Sequence, residues 1–404
     1  MEKLQATNGK VLFAVVKQAL RLSGIEYTKA NPNAMLVWTD TMKVDYFQQM
    51  MPWQVINRIP WARTMCRKAP YVRLICRTAK YFPNLYDFIP KSFILPLERN
   101  EFHKAYKESP KKYIYKPDKG ALGHGIKVIN SEKETPKSRH LAVIQEYIDS
   151  FTIDNKKFDL RIYVLILSVK PLTIYVYRGG VARFCSETVD TNSKFSLLTN
   201  TAVNIKNPDA IPDKMTQMLS DVFEKLKQMG YDIDALWERI DRAIVLSVIS
   251  AYGFLSKFED EECPNLGYSR CFQIVGFDVL LDKQLKPYVL EINFRPSLKC
   301  NTMNSHTLKQ NMLMDALKIA APLMPLQRLK ETTEFPTDAK EFKKFMENHK
   351  DTIQQINELR AKNEIGNGFK KCGISSVFPQ IYYRSKPQNA LRADVGYKLM
   401  FISL

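Results

Sequence analysis

The sequence has 404 residues, with 60 basic and 42 acidic residues, and its formal net charge is +18. Hydrophobic residues make up 45% and charged residues 25%, which is ordinary for a globular protein and excludes wholesale disorder, collagen-like repetition and a disulfide-stapled miniature. At about 100 to 200 residues per domain, this length is enough for two or three units.

Seven cysteines are scattered along the chain and are never spaced as CxxC, so we expect reduced thiols and neither zinc sites nor a disulfide framework. Apolar runs such as Ile162 to Leu167 are far shorter than the roughly 18 residues of a membrane helix. The amino terminus does not have the basic region and long apolar core of a signal peptide. We therefore expect an intracellular protein without a membrane span.

In chain order, the pattern first predicts an amphipathic helix at about Val11 to Ser23 and a strand at about Met35 to Trp38. A basic stretch follows, and prolines at positions 83, 90 and 96 mark the end of this region. The first hundred residues are therefore expected to mix helix and strand.

The basic stretch, residues 46–86, contains no acidic residue and seven basic ones: Arg58, Arg63, Arg67, Lys68, Arg73, Arg77 and Lys80. Arg63 with Arg67, and Arg73 with Arg77, have the spacing that places two side chains on one helix face, where like charges repel unless an anion lies opposite. We predict a docking surface for an acidic partner, with a solvated helix face as the alternative. Net charge alone identifies no partner, because nucleic acid, anionic membranes and acidic proteins all attract it.

From Tyr113 the chain becomes rich in β-formers. Strands are predicted at Tyr113 to Tyr115, Ile126 to Ile129 and Val143 to Tyr147, and a hairpin from Leu160 to Val169 and Leu172 to Tyr177. The segment Val143 to Ile148 is interpreted as a sheet edge with free backbone groups.

A helical region follows the hairpin. Apolar residues from Met215 to Met229 recur at helical spacing before Gly230, and a second helix is predicted after Asp232, which can cap it. After Pro325 the chain becomes charged and helical, with a broken apolar stripe from Phe342 to Leu359. This tail is either an appendage packed on the body or a partner-binding helix.

The strongest local signal is an apolar hairpin from Phe272 to Asp282 and from Pro287 to Asn293. A four-residue loop between these runs pairs Asp278 directly with Glu291, with Cβ atoms about 5 Å apart, and Asn293 projects from the same face. Two carboxylates so placed repel unless a hard cation lies between them, and oxygen ligands of this kind suit magnesium. The alternative is a solvent face paired with lysines, but alternation places Asp278 among apolar neighbours.

A second signal is Lys116 at the end of a strand, followed by a loop with three glycines, Gly120, Gly123 and Gly125. Backbone N–H groups and one lysine charge can hold a polyphosphate. The loop is neither a Walker A motif nor a GxGxxG turn, so by itself it is a weak indication of nucleotide binding.

Taken together, these blocks resemble the tubulin tyrosine ligase-like family of ATP-grasp ligases, and within it the polyglutamylases. The motifs occur in order over most of the chain: Trp38-Thr-Asp40, Val55 to Pro60, Cys66-Arg-Lys68, Pro90 to Pro96, Tyr115-Lys-Pro117, Gln145 to Ile148, Lys157 to Arg161, Ala182-Arg-Phe184, Leu198-Thr-Asn200, the hairpin, Asn293 to Ser297, Gly368-Phe-Lys370 and Val377-Phe-Pro379.

The resemblance implies an α+β, ATP-grasp fold in which the nucleotide is clamped between two α+β lobes, with a helical C-terminal extension. It divides the chain into an N-terminal lobe with the basic stretch (1–110), a central ATP-grasp lobe (111–205), a C-terminal ATP-grasp lobe with the metal hairpin (206–325) and the extension (326–404).

The resemblance also implies ATP and Mg²⁺ as cofactors and assigns roles to residues. Lys116, Glu291 and Arg183 would be catalytic, Arg183 by gripping the carboxylate of the incoming amino acid. Magnesium would be held by Asp278, Glu291 and Asn293. The nucleotide would be bound by Lys68, Lys116, Leu122, Gly123, Gln145, Glu146, Tyr147, Ile148, Lys157, Phe158, Asp159, Thr199 and Asn200. The substrates would be contacted by Arg183, Thr201, Ala202, Arg73 and Arg77.

The implied reaction is ATP-dependent ligation of free glutamate, through an isopeptide bond, to glutamate side chains in the acidic C-terminal tails of tubulin, by way of an acylphosphate. The implied partners are tubulin and microtubules, without nucleic acid or membrane, and the implied state is a monomer. The implied location is the cytoplasm and cytoskeleton, including the cilium or flagellum basal body and axoneme. Alternatives are a glycine ligase, a ligase for another acidic protein, and a microtubule-binding pseudoenzyme.

The sequence departs from the family pattern at several positions. Ala121-Leu122-Gly123 stands where the family carries Ser-Arg-Gly, Thr201-Ala202 and Ile205 replace Tyr-Ser and a lysine, Gln273 replaces an acid, and Phe294-Arg295 replaces a polar pair. The predicted ATP and metal residues are kept, whereas the positions that contact the amino acid and the acceptor differ.

Overall fold

The computed structural model of the chain describes residues 4–8, 11–29, 33–40, 47–120, 123–332 and 339–373. Within these ranges the protein is a mixture of α-helices and β-strands arranged around three sheets. Among the helices in these ranges, none combines the length and the apolar character that a bilayer span requires.

The first sheet is parallel, and it is built from the strands β1 (Leu4–Asn8), β2 (Ile25–Lys29), β3 (Leu36–Trp38) and β4 (Val55–Ile56) in the order β2-β1-β3-β4. Helix α1 (Ala14–Leu22) connects β1 to β2 and buries Val15, Val16, Ala19 and Leu20. The predicted amphipathic helix and the predicted strand ending at Trp38 are therefore confirmed.

After β4, the basic stretch forms two helices, α2 (Ala62–Met65) and α3 (Lys68–Ala79). Arg67 is the extended residue that precedes α3, so the prediction that Arg63 and Arg67 share one helix face is wrong. The guanidinium Nε of Arg67 instead donates to Asp118 Oδ2 at 2.9 Å. Arg73 and Arg77 do lie on one helix, and both are exposed.

The second sheet is antiparallel, and helix α4 packs against it. Its strands and this helix are β5 (Ser92–Leu95), α4 (Arg99–Glu108), β6 (Tyr113–Pro117), β7 (Lys127–Ile129) and β8 (Ala142–Glu146), with strand order β5-β8-β6-β7. Strand β8 pairs with β5 on one side and β6 on the other, so the prediction of an edge segment is wrong for residues 142–146. Its run Ala142, Val143 and Ile144 is fully buried, as expected of an inner strand.

The third sheet is central and contains the predicted hairpins. In chain order the elements are β9 (Thr152–Ile153), β10 (Lys156–Ser168), β11 (Thr173–Phe184), α5 (Lys194–Leu197), α6 (Thr201–Asn204), β12 (Thr216–Met218), α7 (Leu219–Gln228), α8 (Ile233–Glu262), β13 (Gln273–Leu281) and β14 (Pro287–Asn293). The strand order is β12-β11-β10-β13-β14, with β9 beside β10. The pairing of Asp278 with Glu291 is confirmed, and Asn293 lies opposite Gly276.

The helices after this hairpin follow the predictions in part. Asp232 caps α8, because its side chain accepts a hydrogen bond from the N–H of Ala235 at 3.0 Å. The stripe that begins at Met215 is not one helix, since residues 216–218 form β12 against β11 and helix α7 begins only at Leu219.

The carboxyl-terminal part of the described chain packs on the central sheet. It contains α9 (Met303–Ala320), α10 (Leu323–Thr332), α11 (Ala339–Asn348), α12 (Lys350–Lys362) and β15 (Phe369–Lys371), which pairs with β11. Phe345, Ile353 and Ile356 are buried in one cluster with Leu313 of α9. The described part of the tail is therefore an appendage of the body. Val377-Phe-Pro379 lies outside the described residues.

Candidate active site

One cleft between the second and third sheets collects most of the predicted site residues. Among its lining residues are Lys116, Gln145, Glu146, Ile148, Lys157, Asp159, Arg183, Thr199, Asn200, Asp278 and Glu291. Most of them come from β6, β8, β10, β11, β13 and β14, so both sheets contribute, while Ile148, Thr199 and Asn200 lie in the segments after β8 and α5. The free volume of the cleft is about 60 Å³.

Two buried lysines give the cleft its positive charge. The Nζ of Lys116 donates to Gln145 Oε1 at 2.7 Å, and the amide of Gln145 donates in turn to Ser92 Oγ at 3.0 Å. Lys157 Nζ lies 3.8 Å from the centroid of the Tyr147 ring. Burial lowers the pKa of each lysine to about 8. Cations that have lost their hydration in this way are stabilised by an anionic ligand such as a phosphate.

Two arginines bind the aspartates of the cleft. Arg183 contacts Asp159 through Nε and Nη2, at 2.7 and 2.6 Å, and its Nη2 is also 2.8 Å from Asp278. Thr199 Oγ1 donates to Asp159 at 2.7 Å. Burial alone would lower the pKa of Arg183, but the two carboxylates outweigh burial and raise it. The arginine predicted to grip the amino acid is thus held by two protein carboxylates.

Arg161 is a site residue that the sequence analysis did not single out. It lies directly opposite Asp278 in the pairing of β10 with β13. Alternation along β10 was the available signal, because Lys157, Asp159 and Arg161 share one face of the strand. The aspartate that faces this arginine could not be identified from that alternation.

The carboxyl groups of Asp278 and Glu291 are hydrogen-bonded to each other. Burial and the charge of Asp278 raise the pKa of Glu291, whereas Arg161 and Arg183 outweigh burial and hold the pKa of Asp278 below its usual range. Of the two carboxyl groups, Glu291 is therefore the one that binds a proton more readily. Lys68 Nζ is 3.7 Å from Glu291, and the Asn293 amide is 3.4 Å from it.

This pair offers carboxylate oxygens to a divalent cation. An ionised carboxylate offers about four lone-pair directions, and guanidinium groups use three of those on Asp278. The fourth faces Glu291, and a cation there would leave ligand positions for water and phosphate. Within the described ranges, no group of three or more His, Cys, Asp or Glu side chains is arranged to hold a metal. The predicted magnesium site therefore has two carboxylates, Asp278 and Glu291, and would need Asn293 as its third oxygen donor.

The glycine-rich loop approaches the cleft from β6. Lys68 Nζ donates to the carbonyl of Gly120 at 2.8 Å, which ties the loop to the first residue of α3. Gly123 has a φ of +77°, and a Cβ there would lie 2.8 Å from Val203 Cγ2, so this close approach requires glycine. Leu122, a predicted nucleotide contact, lies outside the described residues.

A larger cavity of about 390 Å³ adjoins the cleft and shares Ile126, Leu197 and Leu198 with it. Gly123 and Ala202 line this cavity, together with three lysines: Lys127, Lys194 and Lys206. Thr201, the first residue of α6, lies beside Ala202 and is half-buried.

Two groups of predicted residues do not reach the cleft with their side chains. Phe158 is buried in the core, where its ring lies 5.1 Å from that of Phe184. Arg73 and Arg77 lie on α3, which begins at Lys68, but they project to the protein surface. Only a surface role is open to these two arginines.

Comparisons with known proteins place the chain in a family. A model of the tubulin-tyrosine ligase family matches residues 47–332. The chain is 34% identical over 376 residues to the tubulin polyglutamylase ttll6 of Danio rerio, covering 89% of this chain and 46% of that protein. It is 33% identical over 304 residues to a probable beta-tubulin polyglutamylase of Tetrahymena thermophila, with coverage of 70% and 25%. The human tubulin monoglutamylase TTLL4 is 34% identical over 326 residues, with coverage of 77% and 27%.

The chain therefore belongs to the tubulin-tyrosine ligase family. It spans less than half the length of these three relatives.

Proposed function

We propose that the chain is an ATP-dependent ligase that adds glutamate, through an isopeptide bond, to glutamate side chains in tubulin C-terminal tails. The observation that carries the proposal is the convergence of two desolvated lysines, Lys116 and Lys157, on the hydrogen-bonded pair of Asp278 and Glu291. The names of the relatives, tubulin polyglutamylases and a monoglutamylase, support the choice of substrate.

The proposed fold is an ATP-grasp in which the second and third sheets hold the nucleotide between them, with the four-part division of the chain given above. Lys116 and Lys157 would contact phosphates, and Glu146 to Ile148, at the end of β8, would meet the base. Mg²⁺ bound by Asp278, Glu291 and Asn293 would supply charge neutralisation at the phosphates.

The proposed reaction has two steps. The γ-carboxylate of the acceptor glutamate attacks the γ-phosphorus of ATP, which gives an acylphosphate and ADP. The amine of free glutamate then attacks the acyl carbon, the C–O bond to phosphate breaks, and an amide forms with loss of a proton. Lys116 would stabilise charge on the transferred phosphoryl group. Arg183 would bind the carboxylate of free glutamate with Nη1, the guanidinium nitrogen not used in its contacts with Asp159 and Asp278.

The proposed partners are tubulin and microtubules, and the proposed location is the cytoskeleton, including cilia. Arg73 and Arg77 would contact the polyanionic tails from the exposed face of α3. The monomeric state and the absence of nucleic-acid and membrane partners stay predictions.

A labelling assay tests the function. Purified chain is incubated with microtubules, ATP, Mg²⁺ and radiolabelled glutamate or glycine, beside Glu291→Gln and the matched control Lys119→Gln, which changes an exposed lysine near the same loop. We expect ATP-dependent incorporation of glutamate that Glu291→Gln abolishes and Lys119→Gln keeps. Glycine-only incorporation would refute the glutamate assignment. Equal label in all proteins, or none in any, would refute the ligase and favour the pseudoenzyme.

A further inference from the structure

A further cavity, of about 220 Å³, lies where the first sheet meets the end of β14. Trp38 and Asp40 line it from the end of β3, Arg58 from the segment after β4, and Phe294, Arg295 and Leu298 from the segment after β14. None of these residues lines the nucleotide cleft. The cavity is nevertheless close to that cleft, because Arg295 follows Glu291 by four residues and their Cα atoms are at most about 14 Å apart.

The cavity has a surplus of positive charge. Arg58 is 4% exposed, and its Nη2 lies 3.6 Å from Asp40 Oδ1, while Asp40 Oδ2 accepts a hydrogen bond from the N–H of Leu12 at 2.8 Å. Arg295 donates to the backbone carbonyl of the same Asp40. The lining of the cavity thus contains two guanidinium groups and one carboxylate, and Arg295 contacts the backbone of Asp40 instead of its carboxylate. Burial lowers the pKa of Arg58 to about 10. The charge of Asp40 opposes this shift and the charge of Arg295 adds to it, and Arg58 stays charged at neutral pH.

Trp38 adds a hydrogen-bond donor. Its side chain is 3% exposed, and its indole N–H is buried with no partner among the described residues. A buried donor without an acceptor costs about 1–3 kcal/mol, so such groups are rare in folded proteins and call for an explanation. An anionic acceptor in the cavity would satisfy this donor and offset the surplus charge.

We propose that this cavity binds a second carboxylate of the acidic acceptor peptide, through Arg58, Arg295 and the indole N–H of Trp38. The inference rests on the proposed function, which supplies an acceptor whose reacting carboxylate lies near Glu291. In an extended peptide, side chains two and four residues apart are about 7 and 13 Å apart, and both distances lie within the upper limit of about 14 Å between the two sites. The cavity then selects acceptors with an acidic residue two to four positions from the modified glutamate.

The ring of Phe294 forms an apolar wall beside these donors, because the Arg58 guanidinium lies 5.5 Å from its centroid.

Peptide binding without ATP tests the inference. A fluorescein-labelled extended peptide with four glutamates is titrated with the full chain at low salt, beside a peptide with one glutamate and three glutamines. The variants are Arg295→Gln, Arg295→Lys, Trp38→Phe and the matched control Arg242→Gln, an exposed arginine of α8. A charge-assisted hydrogen bond contributes enough for about a tenfold change in Kd. We expect Arg295→Gln to weaken binding of the four-glutamate peptide about tenfold, Arg295→Lys to restore most of it, and Arg242→Gln to change nothing.

Trp38→Phe separates a binding role from a structural one. The variant removes an N–H that has no partner to lose, so the melting temperature is expected to stay the same or rise while peptide binding weakens about threefold. For the one-glutamate peptide we expect Arg295→Gln and Trp38→Phe to have no effect.

The outcomes distinguish this inference from the proposed function. Equal binding of the four-glutamate peptide by the wild type and Arg295→Gln, or no binding by the wild type, overturns the cavity assignment even when glutamate ligation is observed. Arg295-dependent peptide binding without any ligation supports the cavity and refutes the ligase. Displacement of the peptide by millimolar inorganic phosphate in the wild type but not in Arg295→Gln would assign the cavity to phosphate and overturn the peptide site.

Discussion

Arg161 binds Asp278 through two atoms, with Nε 2.6 Å from Oδ1 and Nη2 3.1 Å from Oδ2. The two residues lie directly opposite each other on β10 and β13, and the aspartate side chain is 2% exposed. A carboxylate so deeply buried stays ionised only with such a partner. Arg161 therefore keeps Asp278 charged, and this charge, together with burial, raises the pKa of Glu291.

The Arg161→Gln variant is expected to lower the free energy of unfolding by about 3 kcal/mol, because it leaves a buried carboxylate with one arginine instead of two. The matched control is Arg178→Gln, which breaks the half-exposed pair with Asp241 and is expected to cost about 1 kcal/mol or less. Urea denaturation midpoints of the three proteins provide the measurement. Equal losses for the two variants would contradict a special role for the Arg161 pair.

The affinity for ATP is expected to fall as pH rises from 7 to 9. Burial lowers the pKa of Lys116 and of Lys157 to about 8, and only the protonated amine attracts a phosphate. Deprotonation above pH 8 weakens binding by about tenfold per lysine at pH 9, while the phosphates are already ionised at pH 7. Fluorescent-nucleotide titrations at pH 7, 8 and 9 measure how steeply the affinity falls with pH, which is the slope compared below.

Lys116→Met should bind ATP more weakly at pH 7 and lose about half of this pH dependence. Lys119→Met, which changes an exposed lysine three residues away, should keep the wild-type slope. A slope that is the same in Lys116→Met as in the wild type would exclude Lys116 as a phosphate contact.

The hairpin could be predicted from the sequence because its geometry is local. A short loop between two apolar runs fixes the register, and a shift by one residue would turn every side chain to the other face. This reasoning predicted the pairing of Asp278 with Glu291. Next to the loop, however, the pairs are offset by one residue, with Leu281 opposite Pro287, and an irregularity between Asp278 and Val279 restores the predicted register. Pairing between distant strands has no such local signal: Arg161 and Asp278 are 117 residues apart, so the partner that sets the charge of Asp278 could not be identified.

Two of the wrong predictions have the same origin. The segment Val143 to Ile148 was interpreted as a sheet edge, but whether a strand is inner or outer depends on its neighbours, here β5 and β6. The shared helix face of Arg63 and Arg67 rested on spacing, but Arg67 is extended and binds Asp118 on another element. Tertiary contacts determine both the position of β8 in its sheet and the conformation of Arg67, and the periodicity of a sequence contains no information about such contacts.

The double variant Arg73→Ala/Arg77→Ala is expected to weaken microtubule binding severalfold at low salt and less at high salt. Both arginines are exposed on α3, and interactions between exposed charges are screened over about 10 Å at 0.1 M salt. Cosedimentation at 25 and 200 mM salt measures the effect. Lys104→Ala/Lys107→Ala removes two exposed lysines from α4 as a matched control, and equal weakening by both double variants would point to net charge instead of this surface.

Glu259→Gln is expected to stabilise the protein at pH 8 and to have little effect at pH 5. Glu259 is 2% exposed on α8, its Oε2 has no hydrogen-bond partner among the described residues, and burial raises its pKa to about 8. The folded state keeps this proton between pH 4.5 and 8 while the unfolded state loses it, so the wild type loses stability as pH rises through this window. Over this window the free energy of unfolding of the wild type falls by about 2–4 kcal/mol.

Glutamine has nearly the same shape and cannot ionise, so the variant does not have this pH dependence. Asp260→Asn, at the neighbouring position, removes an exposed carboxylate that pairs with Lys170 and is expected to change stability by less than about 1 kcal/mol at either pH. Urea midpoints at pH 5 and 8 compare the three proteins. A difference between Glu259→Gln and the wild type that does not grow with pH would mean that Glu259 is already ionised in the folded protein.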